Sequence, residues 1–183
     1  MARFEELQIA IIEAATNYLE LHNLQVLTEQ FTLDRESNIS LFLPNQETQH
    51  LLSAEVSYVF DAFQTGFSFV EDMTEDKDVD TTIEIDFTIK FPVLRDYPNI
   101  MDLYNELADI LEDIEATLII KEHIDMDGSY KLYEFTYSYE IDFIEDMDSE
   151  LLDVIFDELK KLMTVVYEKT KRYIDYSWYN SDE

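Results

Sequence analysis

Apolar positions along this chain switch between two periods, and the switches mark its elements. Over residues 4–22, Phe4, Leu7, Ile11, Ala14, Tyr18 and Leu21 recur at spacings of three and four, with Ile12, Ala15 and Leu19 widening the stripe. That spacing predicts an amphipathic helix whose polar side carries Glu5, Glu6, Glu13 and Glu20. From residue 25 to 91 the period becomes two. Val26 to Leu33 and Ile39 to Leu43 read as short strands around a turn at 34–38. Ala54 to Phe63 alternates Val56, Tyr58 and Phe60 with Glu55, Ser57 and Asp61, and after the turn Gln64-Thr65-Gly66 a return strand begins at Phe67 to Val70. The clearest alternation spans 81–91, where Ile83, Ile85, Phe87, Ile89 and Phe91 interleave with Glu84, Asp86, Thr88 and Lys90. An antiparallel sheet covered on one side produces this pattern.

Pro92 and Pro98 bracket a loop, and Pro98 suits the first turn of a second helix with Ile100, Leu103, Leu107, Ile110, Leu111 and Ile114 as its apolar face. Ala116 to Ile124 and Lys131 to Phe143 predict a hairpin turning at Asp127-Gly128. In its second strand Tyr133, Phe135, Tyr137, Tyr139, Ile141 and Phe143 alternate with Glu134, Thr136, Ser138, Glu140 and Asp142. A last helix follows over 149–175, striped by Leu152, Ile155, Phe156, Leu159, Leu162, Met163 and Val166. Asp146 and Asp148 near its start and Lys169, Lys171 and Arg172 near its end suit the helix dipole.

The predicted fold is therefore α+β. An antiparallel sheet of about five to seven strands carries three helices (N-terminal, central and long C-terminal) packed mainly on one face. Residues 1–183 form a single domain with an acidic loop at 71–80 and an aromatic tail at 173–183. In element order alone it resembles the small acidic chaperones of bacterial type III secretion. That resemblance implies a dimeric chaperone or adaptor holding an apolar partner segment.

Composition changes the picture through charge. Against 42 Asp and Glu stand 12 Lys and Arg, a formal charge of -30. With 46% hydrophobic and 14% aromatic residues and only 2 Gly and 3 Pro, the chain is equipped to pack a core, so the charge sits on a folded object rather than a disordered one. Such a charge repels nucleic acid, anionic membranes and anionic substrates, and it destabilises the compact state. It points instead to a basic partner. The charge is also uneven: residues 71–158 hold -23 of it, whereas the last 25 residues are close to neutral.

The strand alternation places part of this charge on one open sheet face. Neighbours at i and i+2 lie about 6.6–6.8 Å apart along a strand, so Glu55 and Asp61, Glu84 and Asp86, and Glu134, Glu140 and Asp142 form a grid of carboxylates. The loop adds Glu71, Asp72, Glu75, Asp76, Asp78 and Asp80 at one edge. Of these, Glu71, Asp72, Glu75, Asp76, Asp78, Asp80, Glu84, Asp86, Glu134, Glu140 and Asp142 are the candidate partner-binding residues. The competing reading is that outward strand positions must be polar in any protein and that Asp and Glu merely fill them.

Catalytic patterns fail one by one. Asp76, Asp78 and Asp80 open like a calcium loop, but Thr81 stands where its glycine belongs and Phe87 where its bidentate glutamate belongs. His22, His50 and His123 have no ligand spacing, and with Gly66 and Gly128 as the two glycines no phosphate-cradling loop can be written. There is no Gly-x-Ser-x-Gly elbow. The absence of cysteine excludes thiolate nucleophiles, disulfides and zinc-thiolate sites and fits a reducing compartment. No basic n-region leads an apolar run at the start, and no stretch reaches the ~18 apolar residues of a membrane span.

The expectation is a cytoplasmic, non-enzymatic binding protein with no cofactor and no metal. It would mimic nucleic acid and block the basic groove of a DNA- or RNA-binding protein, without binding nucleic acid or membrane itself. In composition, though in no motif, it resembles anti-restriction and anti-CRISPR inhibitors of phages and mobile elements, which act in a host cell. Tyr173, Tyr176, Trp178 and Tyr179 either fold back over the core or form a partner or homodimer surface.

Overall fold

A computed structural model describes residues 4–19, 21, 23–31, 34–42, 53–60, 82–110, 116–125, 128–142 and 149–179. The chain runs α1 (Phe4–Tyr18), β1 (Asn23–Gln30), β2 (Arg35–Phe42), β3 (Ser53–Phe60), β4 (Thr82–Lys90), α2 (Ile100–Ile110), β5 (Ala116–Asp125), β6 (Gly128–Asp142), α3 (Ser149–Thr170) and the short α4 (Tyr176–Tyr179). The six strands form one sheet in the order β1-β2-β3-β4-β6-β5, and every neighbouring pair is antiparallel. This is the α+β architecture that the period switches predict. Since β4 and β5 both run antiparallel to β6, they run parallel to each other. The α2 connection therefore crosses the helix layer, and β6 fills the slot between them. Among the described residues, no helix is long and apolar enough to cross a membrane.

The alternation fixes which side is covered. Leu41, Ala54, Ile89 and Phe135 form one row across the sheet, and Ile39, Val56, Phe87 and Tyr137 form the next; all eight are buried. The helices seal these rows from the same side. Phe4 of α1 meets Tyr58 and Phe60 of β3, Phe156 of α3 meets Phe87 of β4 edge-on at 5.8 Å, and Tyr104 of α2 meets Phe135 of β6. Lys169 of α3 reaches Glu106 of α2 at 2.9 Å.

Several boundaries differ from the sequence pattern. The first helix stops at Tyr18 rather than 22, and α3 stops at Thr170 rather than 175. The segment 34–38 is not a turn. Arg35–Asn38 belong to β2, and the chain reverses between Phe31 and Asp34, where the Phe31 N–H donates to the Asp34 carbonyl at 2.8 Å. The cause is Ser37, a polar residue at an inward strand position. It is fully buried and accepts a hydrogen bond from Gln8 Nε2 at 2.9 Å, which removes the desolvation cost that would bar it from the core. Nor is Pro98 in the first turn of α2. Asn99 caps that helix, its Oδ1 accepting from the Met101 N–H at 3.1 Å, and Pro98 lies before the cap. The expected return strand at 67–70 and its turn at 64–66 fall outside the described residues.

Past α3 the chain folds back on itself. Leu94 and Ile174 bridge antiparallel, the Arg95 N–H donates to the Tyr173 carbonyl, and the Asp175 N–H donates to the Val93 carbonyl, both at 2.8 Å. Tyr173 packs edge-on against Tyr97, and Ile174 is buried. The start of the aromatic tail is thus a clasp on the chain's own 93–97 loop.

Truncating Phe156 to Ala removes the ring that joins α3 to the middle of the sheet and should cost about 3–5 kcal/mol. Val154→Ala, on the exposed side of the same helix, should stay within about 0.5 kcal/mol of the parent. Urea denaturation of both variants measures the difference.

Candidate functional site

The face of the sheet that no described helix covers is the candidate site. Antiparallel partners share a face, so the register assembles it row by row. One row reads Ser53, Lys90, Glu134 and Ile119; the next reads Gln25, Ser40, Glu55, Thr88 and Thr136; a third reads Leu27, Asn38, Ser57, Asp86 and Ser138. Beyond these, Glu29 stands opposite Glu36, and Glu84 stands opposite Glu140. Thr82 pairs with Asp142 in the outermost row.

The expected grid is therefore brought together in part. Glu84, Asp86, Glu134 and Glu140 share the open face, and the backbone register assigns Asp142 to it as well. Glu71, Asp72, Glu75, Asp76, Asp78 and Asp80 lie outside the described residues, as does Asp61. The pattern had not singled out Glu29 and Glu36. Glu36 was hidden because Ser37 broke the apolar alternation that would have extended β2 over it. Glu29 lies inside the strand expected over 26–33, and its place opposite Glu36 follows from the shifted turn.

Two lysines interrupt the carboxylates. Lys90 pairs with Glu55 at 2.6 Å, and Lys121 of β5 holds both carboxylate oxygens of Glu134 at 2.7 Å. Glu134 is thus a neutralised member of the set, and its negative field is largely cancelled. Polar neutral groups bridge others. Ser138 donates its hydroxyl to Asp86, Asn38 Nδ2 donates to Glu36 at 3.0 Å, and the Thr88 and Thr136 hydroxyls bond at 2.8 Å. Glu84 and Glu140 face each other across β4 and β6, and both are exposed. Like charges directly opposite on a sheet destabilise it by about 0.2–1 kcal/mol. A concavity of about 650 Å³ indents the β1–β3 end of the face, with Glu36, Glu55, Asn38 and Ser40 in its lining.

Three phenols with raised pKa values lie on the other side, under the helices. Burial raises Tyr139, and the hydrogen bond from its hydroxyl to Glu158 of α3 raises it further. Burial likewise holds Tyr137 well above the usual phenol range, and its hydroxyl has no hydrogen-bond partner among the described residues. Tyr58 is raised by burial too, its hydroxyl donating to the Phe4 carbonyl at 3.2 Å. These phenols are core groups kept neutral. Among the described residues no three His, Asp or Glu side chains are grouped to hold a metal ion.

No protein-family model, no curated protein and no solved structure matches this chain.

Screening should relieve the repulsion on this face. Between about 10 mM and 150 mM salt the Debye length falls from roughly 30 to 8 Å, so the melting temperature should rise over that range. At low salt Glu84→Gln should raise it relative to the parent by up to about 2–4 °C, the equivalent of ~1 kcal/mol in a domain of this size. The gain should shrink in ~1 M salt. Calorimetry that finds the parent indifferent to salt would mean that the face is already neutralised.

Proposed function

We propose that this protein is a non-enzymatic mimic of nucleic acid. It inhibits a DNA- or RNA-binding protein by laying the open face of its sheet in that protein's basic groove. The observation that carries the reading is the Glu84, Asp86 and Glu140 group, with Glu29 and Glu36 further along the same face. These acids are fixed on strands, and among the described residues no ion pair joins them to a lysine or arginine. A groove that binds duplex DNA meets one charge per roughly 1.7 Å of axis and gains affinity by releasing counterions. Carboxylates held on a sheet offer the same exchange with little ordering cost, because the strands hold their backbones in place before binding. The sheet supplies the surface and needs no cofactor. On this reading the protein works in the cytoplasm, either its own cell's or that of a host.

A second reading, an acidic adaptor for an apolar segment, draws support from Ile119 and Ile120 of β5, which are exposed on opposite faces of that edge strand. It separates from the first by salt, since apolar binding survives where electrostatic binding fails.

The test uses a partner captured from the native cell or host at low salt and eluted at high salt. Reversing Glu84, Asp86 and Glu140 to Lys should slow association with it by tenfold or more, with a smaller change in dissociation. Reversing the exposed helix-layer acids Glu13, Asp102 and Asp109 changes net charge by the same amount and should have a much weaker effect. Equal losses from the two sets would reduce the mimicry to net charge. No loss from either would remove it and leave the adaptor.

A further inference from the structure

The sheet has two edges, and they are guarded differently. β5 exposes Ile119, Ile120 and Ile124, but it also carries Lys121 and Glu122 along its length, the charged side chains that natural edges use to discourage pairing. β1 has no Lys, Arg or Pro and a single acid, Glu29. Its apolar side chains are left open on both faces: Val26 is 42% exposed, Leu27 56%, and Phe31 just beyond the strand 51%. Among the described residues no strand lies outside it.

The direction of its backbone groups follows from the hairpin. The Phe31 N–H bonds the Asp34 carbonyl, so 31 and 34 are the hydrogen-bonded pair next to the reversal. Antiparallel pairs alternate between bonded and non-bonded. Glu29, Leu27, Gln25 and Asn23 therefore bond inward to β2, while Gln30, Thr28, Val26 and Leu24 aim their N–H and C=O groups outward. The outward Leu24 N–H agrees with this, being capped by Asn23 Oδ1 at 2.8 Å. Among the described residues no strand pairs with the outward groups of Val26, Thr28 and Gln30, which form an open ladder.

We infer that the occupant of this edge is a second copy of the chain, whose β1 pairs antiparallel with the first about a two-fold axis at Leu27. Self-pairing suits this strand in charge and in pattern. A copy carrying -30 can approach another only where acids are sparse, and β1 brings one per strand. Centred on Leu27, the midpoint of residues 23–31, the pairing uses the whole exposed segment. Leu27 then meets its own mate, Val26 meets Thr28, and Glu29 meets the amide of Gln25 rather than another carboxylate. The two-fold is isologous and closes at two copies. It joins two sheets into one of twelve strands and makes their open faces continuous. The association does not rest on the mimicry proposed above, and its salt dependence has the opposite sign. Screening weakens repulsion between like copies and so promotes the dimer, whereas it weakens capture of a basic partner.

The chain has no cysteine, so single replacements report the register. In the paired dimer Leu27 occupies a non-hydrogen-bonded site, where partner Cα atoms lie about 4.5 Å apart, within disulfide reach. Leu27→Cys should cross-link on oxidation. Gln25→Cys, four residues or about 13 Å from its own mate, should not. Sedimentation velocity at about 100 µM, a concentration suited to a small interface, should show the parent moving toward twice its 21.7 kDa mass as salt is raised. Leu27→Lys should stay monomeric with an unchanged circular dichroism spectrum. A parent that is monomeric at every salt concentration overturns the proposal. So does cross-linking of Gln25→Cys as readily as Leu27→Cys, and so does a Leu27→Lys variant that still dimerises.

Discussion

The two faces of the β4–β6 pair place opposite demands on the same strands, and the rest of the molecule follows from how that conflict is resolved. On the inner face Phe87 and Tyr137 stack at 5.3 Å with their rings 13° from parallel, and Phe156 closes over Phe87. On the outer face Glu84 stands opposite Glu140, two residues along the strand from Asp86. Each fully buried large apolar side chain contributes about 1.5–3 kcal/mol. A like-charge pair on an open sheet costs about 0.2–1 kcal/mol. The aromatic face wins several times over, which is why strands this acidic still pair in register.

Register also explains why the acids end up together. A slip of β4 by one residue would turn Glu84 and Asp86 into the core and expose Ile83, Ile85 and Phe87. The core thereby locks the carboxylates to one side. All three long helices take the opposite side because only there do they find apolar partners, and among the described elements none covers the acidic face. Its charge is shaped in detail by a few residues: Lys90 and Lys121 neutralise Glu55 and Glu134, while Ser138 and Asn38 hold Asp86 and Glu36 through neutral hydrogen bonds.

Much of this was legible from alternation alone. The strict period of two over 82–90 and 133–139 placed the central strands, their inward rings and their outward acids. The stripes of α1, α2 and α3 located the helices to within a few residues at each end. What escaped the pattern did so for local reasons. Ser37, buried but hydrogen-bonded to Gln8, looks polar to any reading that equates inward with apolar, and it concealed the first half of β2 and with it Glu36. The clasp of Leu94 on Ile174 is a tertiary contact between segments 80 residues apart, and no periodicity encodes it. The order of strands was equally hidden: nothing in the spacing says that β6 inserts between β4 and β5. Glu134 shows the limit of counting charges, since its lysine partner comes from the neighbouring strand.

Covalent labelling of carboxylates with a carbodiimide and an amine, read by mass spectrometry with and without the bound basic partner, tests the central claim most directly. The partner should protect Glu36, Glu84, Asp86 and Glu140 while Glu13, Asp102 and Asp109 of the helix layer stay reactive. Protection of the helix layer instead, with the sheet acids labelled as fast as in the free protein, would contradict the account.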